Sequence, residues 1–473
     1  MTAASRIAAV VLAAGAGSRF GGGKLLAELA GRPLLDHTLE AIEGAGLAET
    51  IVVLGPGMDE LAAIAARRGA RTVHNPAPER GLSSSVRVGL GAISPGCDAA
   101  LLVLGDQPRT SAAAIRALIA APLPAGREIV IPRYAAGGGA NPALVLRPAW
   151  SLAATLDGDR GFGPLIRRHP ELVVEVELPG DNPDVDTPAD LVRIVEASWA
   201  DWVRANRIQV ERIREVPDGA DFYAPVRSLF RADPTRTDDP VLAVLLGLIE
   251  PADRWLDVGA GAGRFALPIA RALAETGGEV VALDASPSML ASLGEIAEEH
   301  RISNVRTVEA RWPLADVAGL EADRADVVLI AHVGYDVEAI GPFVDGLEAA
   351  ALRTCVAVLM DRVPASAADP FWPPVHGEAR EPLPALAEFI ELLEARGRVV
   401  EVRRVANDGR RFESRSALAG FVRRQLWIDP AGPKEARFQA ALDALAVEED
   451  GEWTIAGRST NEIGIVSWRP RTS

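Results

Sequence analysis

Cysteine is nearly absent from this 473-residue sequence: Cys97 and Cys355 are the two, far apart and each in an apolar setting. Such a pair suits buried thiols of a reducing cytoplasm better than a disulfide, and with six scattered histidines it offers no zinc spacing. Cations are outnumbered, 49 Lys and Arg against 65 Asp and Glu, for a formal net charge of −16. That balance argues against a sequence-independent grip on nucleic acid or on an anionic membrane, since either needs a basic surface. No run of about twenty apolar residues occurs, so no membrane-spanning helix is expected. The partners this leaves are small molecules met in the cytoplasm, with no nucleic acid and no membrane.

What is abundant is apolar, β-rich sequence alternating with Ala/Leu-rich helical patterns. In the first half the runs 7–13, 50–54, 70–73, 100–104, 128–131, 143–146 and 172–177 read as strands, with helical pieces at 33–45, 58–66, 83–92 and 111–119 between them. This alternation predicts βαβ units around a mostly parallel sheet. Near Ala197 the pattern becomes a long polar-apolar helical stretch, SWADWVRANRIQVERIREV, and a second alternating series starts at Arg254. Strands are expected at 254–258, 279–283, 305–309, 326–330, 355–360, 398–405 and 462–468, the last two flanking a helical stretch from 414 to 445. The chain is too long for one ordinary core. Two α/β domains are expected, 1–197 and 198–473, the second with a helical preface over 198–250.

The opening SRIAAVVLAAGAGSRFGGGKLL admits three readings. A secretory signal is imitated by the arginine, the apolar run and the A-x-A-like site, but the run is short and passes into Gly and Lys without a change of composition. A phosphate-binding P-loop, G-x-x-x-x-G-K-[ST], fails at two of its four fixed positions, where Ser18 and Leu25 stand. What remains is a strand entering a glycine-rich turn. Gly15 and Gly17 let backbone N–H groups approach an anion, and Arg19 and Lys24 supply charge for a polyphosphate. GDQP follows the strand at 101–104 and puts Asp106 at its C-terminal edge, where open α/β sheets bind ligands and a carboxylate suits Mg²⁺. Asp186, in DVDTPADL, is a second carboxylate candidate, although it stands just before an apparent helix start at Thr187-Pro188 and by itself reads more readily as part of a helix N-cap region.

Taken together, LAAGAGSRFGGGKLL, HNPAPERGLSSSVRVGL, GDQP, GGGANPALVL, GDRG and DVDTPADL resemble the MobA-like nucleotidyltransferase family, and within it the molybdenum cofactor cytidylyltransferases. The resemblance implies a Rossmann-like three-layer domain that transfers CMP from CTP, or another NTP, to a molybdopterin-type phosphate or another phosphorylated small molecule. It implies that Arg19 and Lys24 hold phosphates, that the Ala13, Ala14 and Gly15 backbone and Ser85 face the base beside Gly17 and Ser18, and that Asp106 with Asp186 holds Mg²⁺. Arg19, Lys24 and Asp106 are the expected catalytic set. The chain departs from the cytidylyl pattern at Asn141, where Gly-His-Pro is usual, and at Gly17 and Phe20.

RWLDVGAGAGRFALPIA, residues 254–270, is a strand, a turn with Gly259, Gly261 and Gly263, and a helix. Asp257 precedes the glycines and Asp284 ends the next strand, at the distance expected of a ribose-binding acid. This resembles the class I S-adenosylmethionine-dependent methyltransferases. The resemblance implies that the three glycines, with Asp257, admit the cofactor's amino-acid portion, that Asp284 binds the ribose hydroxyls, and that Glu309, Ala310 and Arg311 lie beside the adenine. It places His332, after the fourth strand, near the transferring methyl, and implies a closing hairpin with the helical insertion over an unknown methyl acceptor. The expectation is thus a bifunctional enzyme using Mg²⁺ and S-adenosyl-L-methionine. Transfer to a sugar phosphate, or one domain serving as a non-catalytic binding module, are the alternatives.

Overall fold

The computed structural model describes residues 6–217, 231–314, 324–407, 409–457 and 461–471. The chain divides into two compact units, Met1–Val192 and Arg193–Ser473. In the first, a seven-stranded sheet runs in the order Arg71–His74, Glu49–Leu54, Ile7–Leu12, Ala99–Leu104, Ala143–Leu146, Ile129–Tyr134, Val173–Leu178. The first four are parallel, and Ala143–Leu146 is antiparallel to both its neighbours. Every residue of Ile7–Leu12 is buried, as expected of a central parallel strand covered on both faces. Ala9 and Val11 pack with Leu35, Leu39, Ile64 and Ile115, while Ala8, Val10 and Leu12 pack with Val86, Leu90 and Leu165, so alternate residues feed two cores in three layers. The apolar run that imitates a signal is therefore the middle of this sheet.

In the second unit seven strands run in the order Val305–Glu309, Glu279–Asp284, Arg254–Val258, Ala325–Ala331, Ala351–Met360, Asn461–Trp468, Val400–Asn407. The first five are parallel; Asn461–Trp468 is antiparallel to both strands it lies between. The expected closing hairpin is thus formed. Between its strands lie helices Arg415–Gln425 and Glu435–Leu445, and also a hairpin, Ala446–Glu449 with Glu452–Ile455, that the sequence reading does not anticipate. These elements share a core with the earlier segment 368–375, where Phe371 and Trp372 pack with Leu418, Val422 and Phe438. Cys97 and Cys355 are free and buried.

One helix, Pro188–Ile213, differs from expectation. The apparent helix start at Thr187-Pro188 and the helical stretch after Ala197 are one continuous helix, so the boundary drawn at 197 falls inside it. Thr187 caps its start. Its hydroxyl accepts the Asp190 N–H at 3.3 Å, and the Asp190 carboxylate accepts the N–H groups of Thr187, at 2.6 Å, and Asp186, at 3.1 Å. This is a capping box with Pro188 at the first helical position. Residues 218–230 of the expected preface lie outside the described residues; beyond them Pro240–Leu246 is helical, capped by Asp239. Among the described residues no helix is long and apolar enough to cross a membrane.

Candidate functional site

In the first unit, strand Ile7–Leu12 ends in a loop whose short helical turns, Ser18–Phe20 and Lys24–Leu26, are separated by Gly21, Gly22 and Gly23, all at positive φ. The loop carries its cations to the C-terminal edge of the sheet. Arg19 Nη1 lies 2.9 Å from Asp186 Oδ2, and Lys24 Nζ lies 3.3 Å from Asp186 Oδ1 and also against the Asp106 carboxylate. Arg19, Lys24, Asp106 and Asp186, separated by up to 167 residues in sequence, meet in one place. Gly17 has φ +61°, and a Cβ there would stand 3.0 Å from that of Lys24, so the loop closes against the lysine stem.

The acids are held from behind. Val185 N–H donates to the Asp106 carbonyl at 3.0 Å, and buried Gln107 donates to Asp184 at 2.7 Å. Because the capping box engages Thr187 and Asp190, the Asp186 carboxylate is left to the two cations; the N-cap reading of Asp186 is replaced by Thr187. Burial alone would depress the pKa of Lys24, but its contacts with Asp106 and Asp186 outweigh this and hold it above the ordinary lysine value. Asp184, which sequence reasoning missed as a site residue, is pushed up by burial and by the charges of Asp106 and Asp186. Its signal was its place two residues before Asp186 in the same motif.

Ser85 is buried and accepts the Asn75 side-chain amide at 3.0 Å; the neighbouring Ser83 hydroxyl is buried with no partner among the described residues. Ala13 and Ala14 are buried at the strand end, while Gly15 and Ser18 are exposed. Asn141 lies on the wall of a cavity of about 460 Å³ whose floor is Leu12, Val86, Leu102 and Phe162. Arg160 and Arg167 also line it. Among the described residues no group of three His, Cys, Asp or Glu side chains is arranged to hold a metal. Asp106 and Asp186 nonetheless fit Mg²⁺, which takes one or two carboxylates plus phosphate oxygens, and they already share a cation, the Lys24 ammonium.

In the second unit the glycine turn joins strand Arg254–Val258 to helix Ala266–Leu273. Gly259 has φ +77°, and a Cβ there would stand 2.4 Å from Val333 Cγ2, so only glycine fits. Gly261, at φ +55°, faces open space. The Asp284 carboxylate accepts the N–H groups of Gly261 and Ser286, each at 2.8 Å. Glu309 pairs in register with Asp284, and Ala310 N–H donates to the Asp284 carbonyl at 3.0 Å, bringing Glu309, Ala310 and Arg311 to the same edge. An open glycine cradle beside a positioned carboxylate fits S-adenosylmethionine.

Asp257 lies beneath this turn, 3% exposed, with Oδ1 unpartnered among the described residues. Burial, then the Asp284 charge, pushes its carboxyl up to about 7. His332 ends the fourth strand at φ +57°, an uncommon conformation for a non-glycine residue, with its N–H on the Val358 carbonyl at 2.8 Å. Its Nδ1 lies 3.4 Å from the Tyr335 hydroxyl, which accepts the Met360 N–H at 2.8 Å. Burial, then the charge of Arg264, lowers its imidazole to about 4, so the ring is neutral at pH 7. His376 sits with its ring tilted against Trp372, centroids 4.7 Å apart, one turn away on the same short helix.

Comparison with known proteins finds two domains. The model of the MobA-like NTP transferase domain matches residues 9–173, and that of a methyltransferase domain matches residues 249–400. Nicotine blue oxidoreductase of Paenarthrobacter nicotinovorans is 31% identical over 201 residues, 40% of this chain and 96% of that protein. The bifunctional protein GlmU of Sorangium cellulosum is 37% identical over 110 residues, 22% of this chain. The chain spans 23% to 33% of the length of five GlmU proteins that it matches. Among solved structures, Rv0371c of Mycobacterium tuberculosis is 34% identical, with a TM-score of 0.36 over 41% of this chain and 98% of that one.

Proposed function

Because the chain belongs to the MobA-like NTP transferase family through its N-terminal unit and carries a methyltransferase domain in its C-terminal unit, we propose that it is a bifunctional transferase with both sites catalytic. The first reaction is transfer of CMP from CTP to a molybdopterin-type phosphate. The observation that carries it is the meeting of Arg19, Lys24, Asp106 and Asp186 at one sheet edge. An oxygen of the acceptor phosphate attacks the α-phosphorus of CTP, a P–O bond forms, the bond to the bridging oxygen breaks, and pyrophosphate leaves. A phosphate monoester is largely ionised near neutrality, its second pKa being about 6, so no general base is needed. Arg19 and Lys24 orient the triphosphate and offset its charge, and Asp106 and Asp186 would hold Mg²⁺. That ion, when bound, supplies charge neutralisation at the phosphate oxygens.

The cavity beside Leu12 and Asn141 has room and mixed walls for a ring-bearing acceptor. Leu12, Leu102 and Phe162 can cover the face of a flat ring while Asn141, Asp159 and Arg160 on the same lining meet its polar edge. Pyrophosphate release from CTP that requires both Mg²⁺ and molybdopterin is the expected result; release with sugar phosphates alone would move the assignment to the alternative.

The second reaction is methyl transfer from S-adenosylmethionine to a small molecule. Gly259, Gly261 and Gly263 would admit the amino-acid portion, Asp284 the ribose, and Glu309 to Arg311 the adenine. The cofactor, when bound, supplies an electrophilic methyl group. His332, neutral at pH 7 and fixed by Val358 and Tyr335, orients the acceptor from the end of the fourth strand. Alignment is the main requirement of such a transfer. Thermal stabilisation by each ligand without turnover of any acceptor would instead favour a binding module.

A further inference from the structure

Lys24 is assigned to phosphate by its place in the loop, yet its Nζ is bonded to Asp106 and Asp186, the two side chains that would hold the metal. Arg19 is in the same position, bonded to Asp186. The groups meant for the nucleotide's anions and those meant for its cation thus neutralise one another. The two sides differ in how firmly they are held. Asp106 and the 184–187 segment are fixed by Val185 N–H on the Asp106 carbonyl, by Gln107 on Asp184, and by the Thr187–Asp190 box. Lys24 instead carries its ammonium on a flexible four-carbon stem beside buried Leu25, so its charged end can swing while the turn stays in place. The partner able to move is the lysine.

We propose that Lys24 and a divalent cation are alternative occupants of the space between Asp106 and Asp186, and that Lys24 leaves for the phosphates as the cation enters with them. This rests on the nucleotidyltransferase reading of the site. An ammonium against both carboxylates repels a divalent ion and occupies its donors, so the chain takes up free metal poorly. A metal–nucleotide complex brings phosphate oxygens that accept Lys24 and Arg19 while its metal takes the acids. Every charge exchanges one partner for another, and metal and nucleotide bind as a unit.

The test is a Mn²⁺ titration of the full chain without nucleotide, following free Mn²⁺ by electron paramagnetic resonance. Lys24→Met is expected to bind Mn²⁺ on the order of tenfold more tightly than the unsubstituted chain, the effect of removing one adjacent like charge. Lys24→Arg, which keeps the charge, is expected to bind no more tightly, and adding Asp106→Asn to Lys24→Met to abolish the gain. Lys24→Met binding Mn²⁺ no more tightly than the unsubstituted chain overturns the proposal; Lys24→Gln, judged by the same criterion, serves if the methionine variant does not fold. Titration of the unsubstituted chain with Mn²⁺–CTP tests the underlying reading separately. Failure there with a gain in Lys24→Met leaves the cation exchange standing and removes CTP as the nucleotide.

Discussion

The Asp284 carboxylate holds the Gly261 N–H at 2.8 Å, tying the end of one strand to the tip of the glycine turn on its neighbour. A second bond, from Ser286 N–H, fixes the carboxylate's orientation and leaves lone pairs for the two hydroxyls of a ribose. Hydrogen bonds to a charged acceptor contribute about 1.5–3 kcal/mol. Asp284→Ala should therefore weaken binding of S-adenosylhomocysteine by roughly 10- to 100-fold in calorimetry. Unchanged affinity would remove Asp284 from the site.

Gly259 and Gly261 stand two residues apart and should behave differently. Alanine at 259 meets Val333 Cγ2 at 2.4 Å, whereas alanine at 261 meets nothing within 4 Å. Gly259→Ala is expected to lower the thermal midpoint of the unit by several degrees. Gly261→Ala should cost only about 1 kcal/mol of backbone strain but still obstruct the cofactor. Thermal melts and binding isotherms on both variants check this, and an equal loss of stability in the two would contradict it.

Asp257 makes stability depend on pH. Burial and the Asp284 charge raise its carboxyl from 3.8 to about 7 in the folded chain. Between these values the folded state keeps a proton that the unfolded state has released, so stability falls as pH rises through roughly 4 to 7, by at most about 4 kcal/mol. Asp257→Asn has no such proton. Its thermal midpoint relative to the unsubstituted chain should rise from pH 4.5 to pH 8, and a difference independent of pH would rule this out.

Much of this was legible in the sequence because the strands carry their own signal. Fully apolar runs such as Ile7–Leu12 and Ala99–Leu104 are what a doubly covered parallel sheet needs, and each lies within a residue or two of where it was read. The glycine turns and the acids at strand ends were legible for the same reason, since their chemistry depends on local backbone. What escaped depends on contacts between distant segments. Asp184 owes its raised pKa first to burial and then to the charge of Asp106, 78 positions away in sequence, and its place in the DVDTPADL motif does not show either. The helix start at Thr187-Pro188 is legible in DTPAD, but its continuity with the polar-apolar stretch after Ala197 is not, because the change of pattern there reads as a domain boundary although the backbone stays helical to Ile213.

That capping box supports the site as well as the helix. Asp190→Ala removes the acceptor of two backbone N–H groups and should destabilise the first unit by about 1 kcal/mol. It should also loosen Asp186, so Mn²⁺–CTP binding should weaken severalfold. Full retention of that binding in a destabilised variant would show the cap to be structural alone.

Mass spectrometry of the products formed from each NTP with Mg²⁺ and molybdopterin tests the central claim most directly, run on the unsubstituted chain and on Asp106→Asn. A cytidylylated pterin and pyrophosphate are expected from CTP with the former, none with the latter, and unchanged S-adenosylhomocysteine binding in both. No nucleotidyl product from any NTP, or a product that survives Asp106→Asn, would contradict it.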